Sequence, residues 1–194
     1  MKITKKEIDA LGELFNIGTG SSATALSTIL NKTVKISSPR VEIVKPDELD
    51  IKYLEPAYGI SVDYTVGLKG TNSLLLRKED ILKLVSQMTF MEITEIDELS
   101  QSAICELMNQ MMGSASTALA DFLGITIDIS TPKLGEVNDT TQYKTFMYGQ
   151  YTSVMSVTFT LDVEDLLTTN FVTVMSNDIT EVILDKINAI HSIE

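Results

Sequence analysis

Hydrophobic positions in the first part of the chain recur with the period of an amphipathic helix, and the same pattern returns in the second half. The helical pattern extends from Thr4 to about Leu30, and again from Asp97 to about Leu123. Thr4 and Glu7 have the spacing of a capping box, and Asp97 is a good N-cap residue. The pattern therefore predicts two long helices that begin at equivalent places in the two halves.

The residues that follow each helix alternate with the period of a β-strand. A β-branched stretch comes first and stops at a proline, Pro39 or Pro132, which suits a strand end because proline cannot donate to a ladder. The predicted strands are 33–37, 59–66 and 73–77 in the first half and 126–130, 153–160 and 171–175 in the second. An amphipathic helix follows at 76–88 and at 175–190. Segments 44–55 and 135–144 are predicted to be exposed loops.

One segment of the chain occurs twice, 93 positions apart and without a gap. Residues 9–41 align with residues 102–134, and fourteen of the 33 aligned positions are identical. The repeat predicts two halves, about 4–90 and 97–190, joined by residues 91–99. Each half is too small to bury a sheet alone. We therefore expect a single α+β domain over residues 1–194, with an internal pseudo-twofold axis and a largely antiparallel sheet packed against long helices.

Both repeated helices carry a polar stripe among small residues. At 100° per residue the stripe residues fall on one face of each helix. They are Asp9, Gly12, Glu13, Asn16 and Gly20 in the first helix and Ser102, Cys105, Glu106, Asn109 and Gly113 in the second. A glutamate can bind a cation on a partner, and an asparagine amide can hold a water molecule by donating and accepting at once. This pair suits hydrolysis in which the phosphoryl group, the metal and the leaving group belong to a partner.

Other interpretations stay open for the stripe and its neighbours. A Glu-x-x-Asn pair can also mark a solvated face, and duplication alone can preserve a structural pair. Glycines in segment 18–22 resemble a phosphate-binding loop, but no strand precedes them and no lysine follows, so close helix contact is favoured. Packing is favoured over redox chemistry for Cys105, and core filling over a docking surface for Met108, Met111 and Met112.

Composition and charge narrow the classes of partner. The chain has 194 residues, of which 44% are hydrophobic and 22% charged, and its net charge of −12 argues against nucleic acid or an anionic membrane. Neither a signal peptide nor a run of about 18 apolar residues is present, so a cytoplasmic location is expected. One cysteine excludes an intramolecular disulfide framework and a four-thiolate metal site, and the single histidine, His191 near the C-terminus, argues against a His-based zinc site or a Ser-His-Asp triad.

The motif Asp/Ser-x3-Glu-x2-Asn stands in the chain as Asp9, Glu13 and Asn16 and again as Ser102, Glu106 and Asn109. The chain resembles the CheC/FliY/CheX family of bacterial chemotaxis phosphatases, which dephosphorylate the response regulator CheY. Strings such as GSSATALSTILNK and MNQMMGSASTAL resemble the FliY middle domain. We expect an organisation like that of free-standing CheC, without the docking peptide and the FliN-like domain that FliY proteins carry.

The resemblance implies a function for each motif residue. Asn16 and Asn109 would align the water that attacks the aspartyl phosphate of CheY, while Glu13 and Glu106 would pair with the regulator's lysine. The two sites would be pseudo-equivalent, with Asp9 and Ser102 in a supporting role. Any Mg²⁺ would sit in CheY, so no cofactor of the chain's own is expected. An alternative is a non-catalytic or weakly catalytic adaptor that binds CheD or flagellar switch proteins.

Overall fold

The computed structural model describes residues 3–37 and 39–191, within which five α-helices and eight strands are found. The helices are α1 (Lys5–Leu30), α2 (Lys78–Thr89), α3 (Glu98–Leu123), α4 (Thr140–Tyr148) and α5 (Asn177–His191). The strands are β1 (Val34–Ile36), β2 (Arg40–Val44), β3 (Ala57–Val66), β4 (Thr71–Arg77), β5 (Asp128–Ile129), β6 (Lys133–Val137), β7 (Val154–Val163) and β8 (Leu167–Ser176). Both long helices begin and end where the sequence predicts, and the α+β class is confirmed.

The strands form one antiparallel sheet in which each half of the chain completes the other. Its centre runs in the order β7, β8, β4 and β3. The short strands β1 and β2 of the first half pair with β7 of the second, while β5 and β6 of the second half pair with β3 of the first. The pseudo-twofold axis therefore passes between β4 and β8, which pair at the centre of the sheet. The division into one domain with repeats 4–90 and 97–190 stays a prediction.

One face of the sheet carries the four longer helices, α1, α2, α3 and α5. Their apolar sides and every second strand residue form the larger core, with Leu11, Ile60, Ile104 and Val157 fully buried. The central strands are covered on both faces, so their buried runs are nearly continuous rather than alternating. Because α1 and α3 pack their apolar sides on this core, their opposite sides face outward.

The prediction of exposed loops at 44–55 and 135–144 is wrong. These segments contain the end of β6, the first half of α4 and two short 3-10 turns, and with the rest of α4 they cover the other face of the sheet. Leu49, Ile51 and Leu54 are buried there, and the buried Tyr148 hydroxyl bonds to Ser73 Oγ at 2.6 Å and to the Val174 carbonyl at 2.9 Å. The few apolar residues of these segments are spread among turn-forming residues, so they show neither a helical nor a strand period. Their burial against the sheet orders the segments instead.

Candidate active site

The helices that carry the motif residues are capped in parallel ways. Thr4 N donates to Glu7 Oε2 at 2.8 Å, and Glu7 N donates to Thr4 Oγ1 at 3.3 Å. In α3, Ser100 N donates to Asp97 Oδ1 at 2.8 Å, and Asp97 N donates to Ser100 Oγ at 2.7 Å. The backbone N–H of Thr4 lowers the pKa of Glu7, with smaller contributions from Asn188 and the Thr4 hydroxyl. The backbone N–H of Ser100 is the main cause that lowers the pKa of Asp97.

The predicted polar stripe lies on the outer side of both helices. All six motif side chains are exposed, namely Asp9, Glu13, Asn16, Ser102, Glu106 and Asn109. Apolar residues on the remaining sides of the two helices pack inward: Leu11, Leu14, Ile104, Leu107 and the three methionines of α3 are buried. The helical phase is therefore confirmed, and Met108, Met111 and Met112 fill the core. Cys105 is half-buried on the stripe.

The two motifs lie on opposite sides of the point where α1 crosses α3. A Cβ added to Gly18 would lie 3.7 Å from Ala118 Cβ and 3.8 Å from Ala115 Cα, while Ser22 Oγ donates to the Met111 carbonyl at 3.3 Å. The order of these contacts shows that α1 and α3 run in opposite directions. With a rise of 1.5 Å per residue, Asn16 and Asn109 are separated by roughly 12 Å along the helices.

The structure bears on two alternatives left open for residues 18–22. The segment is helical throughout, so it is not a phosphate-binding loop; Gly18 faces Ala115 and Ala118 of α3 at ordinary van der Waals distance, whereas Gly20 faces open space. A cavity of about 70 Å³ lies on the sheet side of this crossing. Its lining includes Thr19, Ser22 and Met111 but none of the six motif residues. The cavity is therefore a packing gap behind the helices rather than part of the candidate site.

The motif amides are free to bind water. Within residues 3–37 and 39–191, the side chains of Asn16 and Asn109 make no hydrogen bond to protein, and neither does the Glu13 carboxylate. Glu106 differs, because Gln110 Nε2 donates to its Oε1 at 2.8 Å. Exposed carboxylates and unpaired amides are ready to contact a partner that brings a cation and a polar reactant.

The residues that follow the motif asparagines were not singled out from the sequence. Position 17 in the first repeat aligns with position 110 in the second. Ile17 is 68% exposed. It stands at the position of Gln110, the residue that donates a hydrogen bond to Glu106 in the other copy. Aligning the repeats shows this Ile/Gln difference, but only the structure shows that Ile17 is exposed and that Gln110 bonds to the motif glutamate.

The described residues offer neither a metal-binding cluster nor a membrane-spanning helix. Among the described residues, no three His, Cys, Asp or Glu side chains cluster in a way that could hold a metal ion. No helix in this part of the chain is long and apolar enough to cross a membrane. The motif carboxylates Glu13 and Glu106 belong to different helices, so each candidate site offers one glutamate and one amide.

Comparison with known proteins gives concordant results. The model of the CheC-like family matches residues 7–43 and 99–136, which include both motifs. The flagellar motor switch phosphatase FliY of Bacillus subtilis is 36% identical over 85% of this chain and 45% of its own length. The CheY-P phosphatase CheC of the same organism is 29% identical over 68% of this chain and 67% of its own.

A solved structure supports the same assignment. The crystal structure of Thermotoga maritima FliY superimposes with a TM-score of 0.82 at 36% identity, over 94% of this chain and 96% of that one. The chain therefore belongs to the CheC-like family. It spans somewhat less than half of the B. subtilis FliY chain that it matches.

Proposed function

We propose that this chain hydrolyses the aspartyl phosphate of the phosphorylated response regulator CheY at two separate sites. The observation that carries the proposal is the repeated, exposed pair of a glutamate and an asparagine whose amide has no partner within the described residues. Two relatives are named as phosphatases, one of them acting on CheY-P, which supports this choice of reaction.

Each site contributes by positioning the attacking water and the partner, and it contributes no side chain that must gain or lose a proton. The Asn16 amide holds a water molecule in line with the phosphorus, and Glu13 binds the ammonium group of the regulator's lysine. The water oxygen bonds to phosphorus while the bond from phosphorus to the aspartyl oxygen breaks. The carboxylate leaves with the electron pair, and the water's proton passes to phosphate or solvent. Asn109 and Glu106 act in the same way in the second site.

Several features of this chemistry suit an amide. An aspartyl carboxylate is a good leaving group, so correct placement of water can supply most of what the reaction needs. A comparable function belongs to the glutamine that orients water in GTP hydrolysis. Mg²⁺ belongs to the regulator in this proposal, and the chain contributes no metal ligand. Asp9 and Ser102, one turn before each glutamate, face the same partner and support its orientation.

The experiment is phosphate release from phosphorylated CheY with Asn16→Ala, Asn109→Ala and the double variant. Each single variant should keep the activity of its intact site. The double variant should lose at least about 100-fold of the rate above CheY's own dephosphorylation, as expected when the group that positions the nucleophile is removed. Gln101→Ala, which removes an exposed amide of α3 outside the motif, is the matched control. Full activity in the double variant would disprove the proposal.

A second candidate is an adaptor with little catalysis, which binds CheD or flagellar switch proteins. Two observations favour it: the name of the first relative, flagellar motor switch phosphatase, places that protein at the flagellar switch, and large apolar residues of this chain are exposed away from the motifs. Phe90 is 80% and Phe146 is 88% exposed. Binding of purified CheD or switch proteins, lost in Phe90→Ser or Phe146→Ser while phosphate release is negligible, would establish the adaptor instead.

A further inference from the structure

The two candidate sites are not equal in the residue that follows the asparagine. We propose that Ile17 and Gln110 determine how tightly each site binds the phosphorylated response regulator, with the Ile17 site binding more tightly. The inference rests on the proposed function, because it assigns specificity within the same two sites. Neither residue takes part in the chemistry itself.

Ile17 gives the first site an apolar contact that the second does not have. Its side chain is 68% exposed and follows Asn16 directly, one turn beyond Glu13. A partner that places its phosphate against Asn16 must cover this surface, and burial of apolar area favours binding. The β-branch leaves isoleucine few rotamers in a helix, so little side-chain entropy is lost on contact.

Gln110 changes the second site in the opposite direction. Its Nε2 donates to Glu106 Oε1 at 2.8 Å, so its amide faces the motif glutamate rather than an incoming partner. Glu106 still has acceptor positions for a lysine, since a carboxylate offers about four. Covering this polar pair removes water from groups that are already hydrated and gives little apolar burial. Binding at the second site is therefore weaker, although the glutamate remains available.

Charge is a separate difference between the sites. The first site has the carboxylates of Asp9 and Glu13, whereas the second has Ser102 and Glu106. Both carboxylates of the first site are exposed, so their attraction for a cationic partner is screened by salt. The apolar contribution of Ile17 is not screened in this way. Salt dependence therefore separates the two effects.

The test exchanges the two residues in chains that keep one working site. Ile17→Gln is made together with Asn109→Ala, and Gln110→Ile together with Asn16→Ala. Phosphate release from phosphorylated CheY should show a KM raised about five-fold by the first exchange and lowered about three-fold by the second. In both cases kcat should change less than about two-fold. The same ratios should persist at 0.5 M NaCl, where exposed charges are screened within about 4 Å.

Controls distinguish a contact from a change in the fold. Ile17→Val should retain a KM close to that of the parent, because it keeps an apolar, β-branched side chain. Unchanged KM in both exchanges, or an effect confined to kcat, would overturn the inference while leaving the proposed function intact. If Asn16→Ala with Asn109→Ala still hydrolyses the phosphate, the proposed function itself fails. Thermal unfolding should be nearly unchanged in the Ile17→Gln chain, since position 17 is on the surface.

Discussion

The inner and outer sides of α1 and α3 have diverged differently. Both helices have 26 residues, a capping box at the N-terminus and a left-handed residue at the C-terminus, Asn31 or Gly124. Their inner sides are held by the same core. On the outer side the motif side chains are exposed in the described part of the chain, so core packing does not restrict them, yet a glutamate and an asparagine stand at equivalent positions in both. Packing explains the inner agreement, whereas the outer agreement points to a partner.

Divergence is also unequal between the two sides. At the crossing, Gly18 aligns with Met111 and Ser22 with Ala115. These four residues also meet across the crossing, Gly18 with Ala115 and Ser22 with Met111, so a larger residue in one copy is matched by a smaller one in the other. On the outer side, Ile17 aligns with Gln110, and no second difference between the copies balances this one. Changes at the crossing must therefore conserve volume, while changes on the stripe can alter binding without altering the fold.

Truncation of the inner side should have the largest effect on stability. Leu11 and Ile104 occupy aligned positions and are both fully buried. Leu11→Ala and Ile104→Ala should each lower the free energy of unfolding by about 3 kcal/mol, since both remove buried methyl groups and leave a cavity. Urea denaturation measures this loss. Ile17→Ala, an exposed truncation on α1, should stay within about 0.5 kcal/mol. A large loss at only one of the two buried positions would contradict the equivalence of the halves.

The sequence predicts the symmetric parts of the fold well and the asymmetric parts poorly. Helices α1 and α3 have hydrophobic residues at a clear helical period and recognisable N-cap residues, and the repeat supports each assignment. Both are therefore predicted to within a residue. Strands β2 and β6 are missed because each begins directly after a proline, Pro39 or Pro132, at which the predicted strand before it ends. Helix α4 is missed because its partner segment in the first half forms 3-10 turns, so the repeat gives no support.

The site shows a similar division. Helical phase places Glu13, Asn16, Glu106 and Asn109 on an outward side, and the structure has all four exposed. Their catalytic functions stay a prediction. The bond from Gln110 to Glu106 depends on rotamers that no periodicity encodes. Sequence patterns identify which face a residue occupies, but not which neighbour its side chain selects.

Removal of the helix caps should have a smaller effect than core truncation. Thr4→Ala should lower the free energy of unfolding by about 1 kcal/mol because it removes the oxygen that accepts from Glu7 N. Asp97→Ala should act in the same direction on α3. Urea denaturation at pH 7 measures both, and Thr28→Ala, an exposed change within α1, serves as the control. No loss in either variant would show that the caps do not hold the helix starts.

The two caps should differ in their dependence on pH. The pKa of Asp97 is lowered in the folded chain, so its carboxylate stabilises the fold above its ordinary pKa of 3.8 and loses this effect as pH falls through the folded value. The hydroxyl of Thr4 does not titrate, although its partner Glu7 does. Asp97→Ala should lower the free energy of unfolding less at pH 3 than at pH 6, and this decrease should be larger than the one seen for Thr4→Ala. Equal shrinkage would contradict this assignment.

The smallest effect is expected at the stripe glycines, which both copies retain. A Cβ at Gly20 or Gly113 would meet nothing within 4 Å. Because glycine is less favourable than alanine inside a helix, Gly20→Ala and Gly113→Ala should each raise the free energy of unfolding by about 0.5–1 kcal/mol. Gly70→Ala is the opposite control, since φ is +119° there and the added Cβ would collide with Ser176 Oγ. The free energy of unfolding of that variant should fall by more than about 1 kcal/mol.

Equal gains at the two stripe positions would show that neither glycine is needed to fold its helix. The retention of glycine would then have to be explained outside the folded chain, by the close approach of a partner. Phosphate release by the same two variants addresses that explanation directly, because an added methyl group obstructs a partner but not the helix. A loss of stability in either variant would instead mean that the glycines serve packing, and that the outer sides of the helices are restricted by the fold after all.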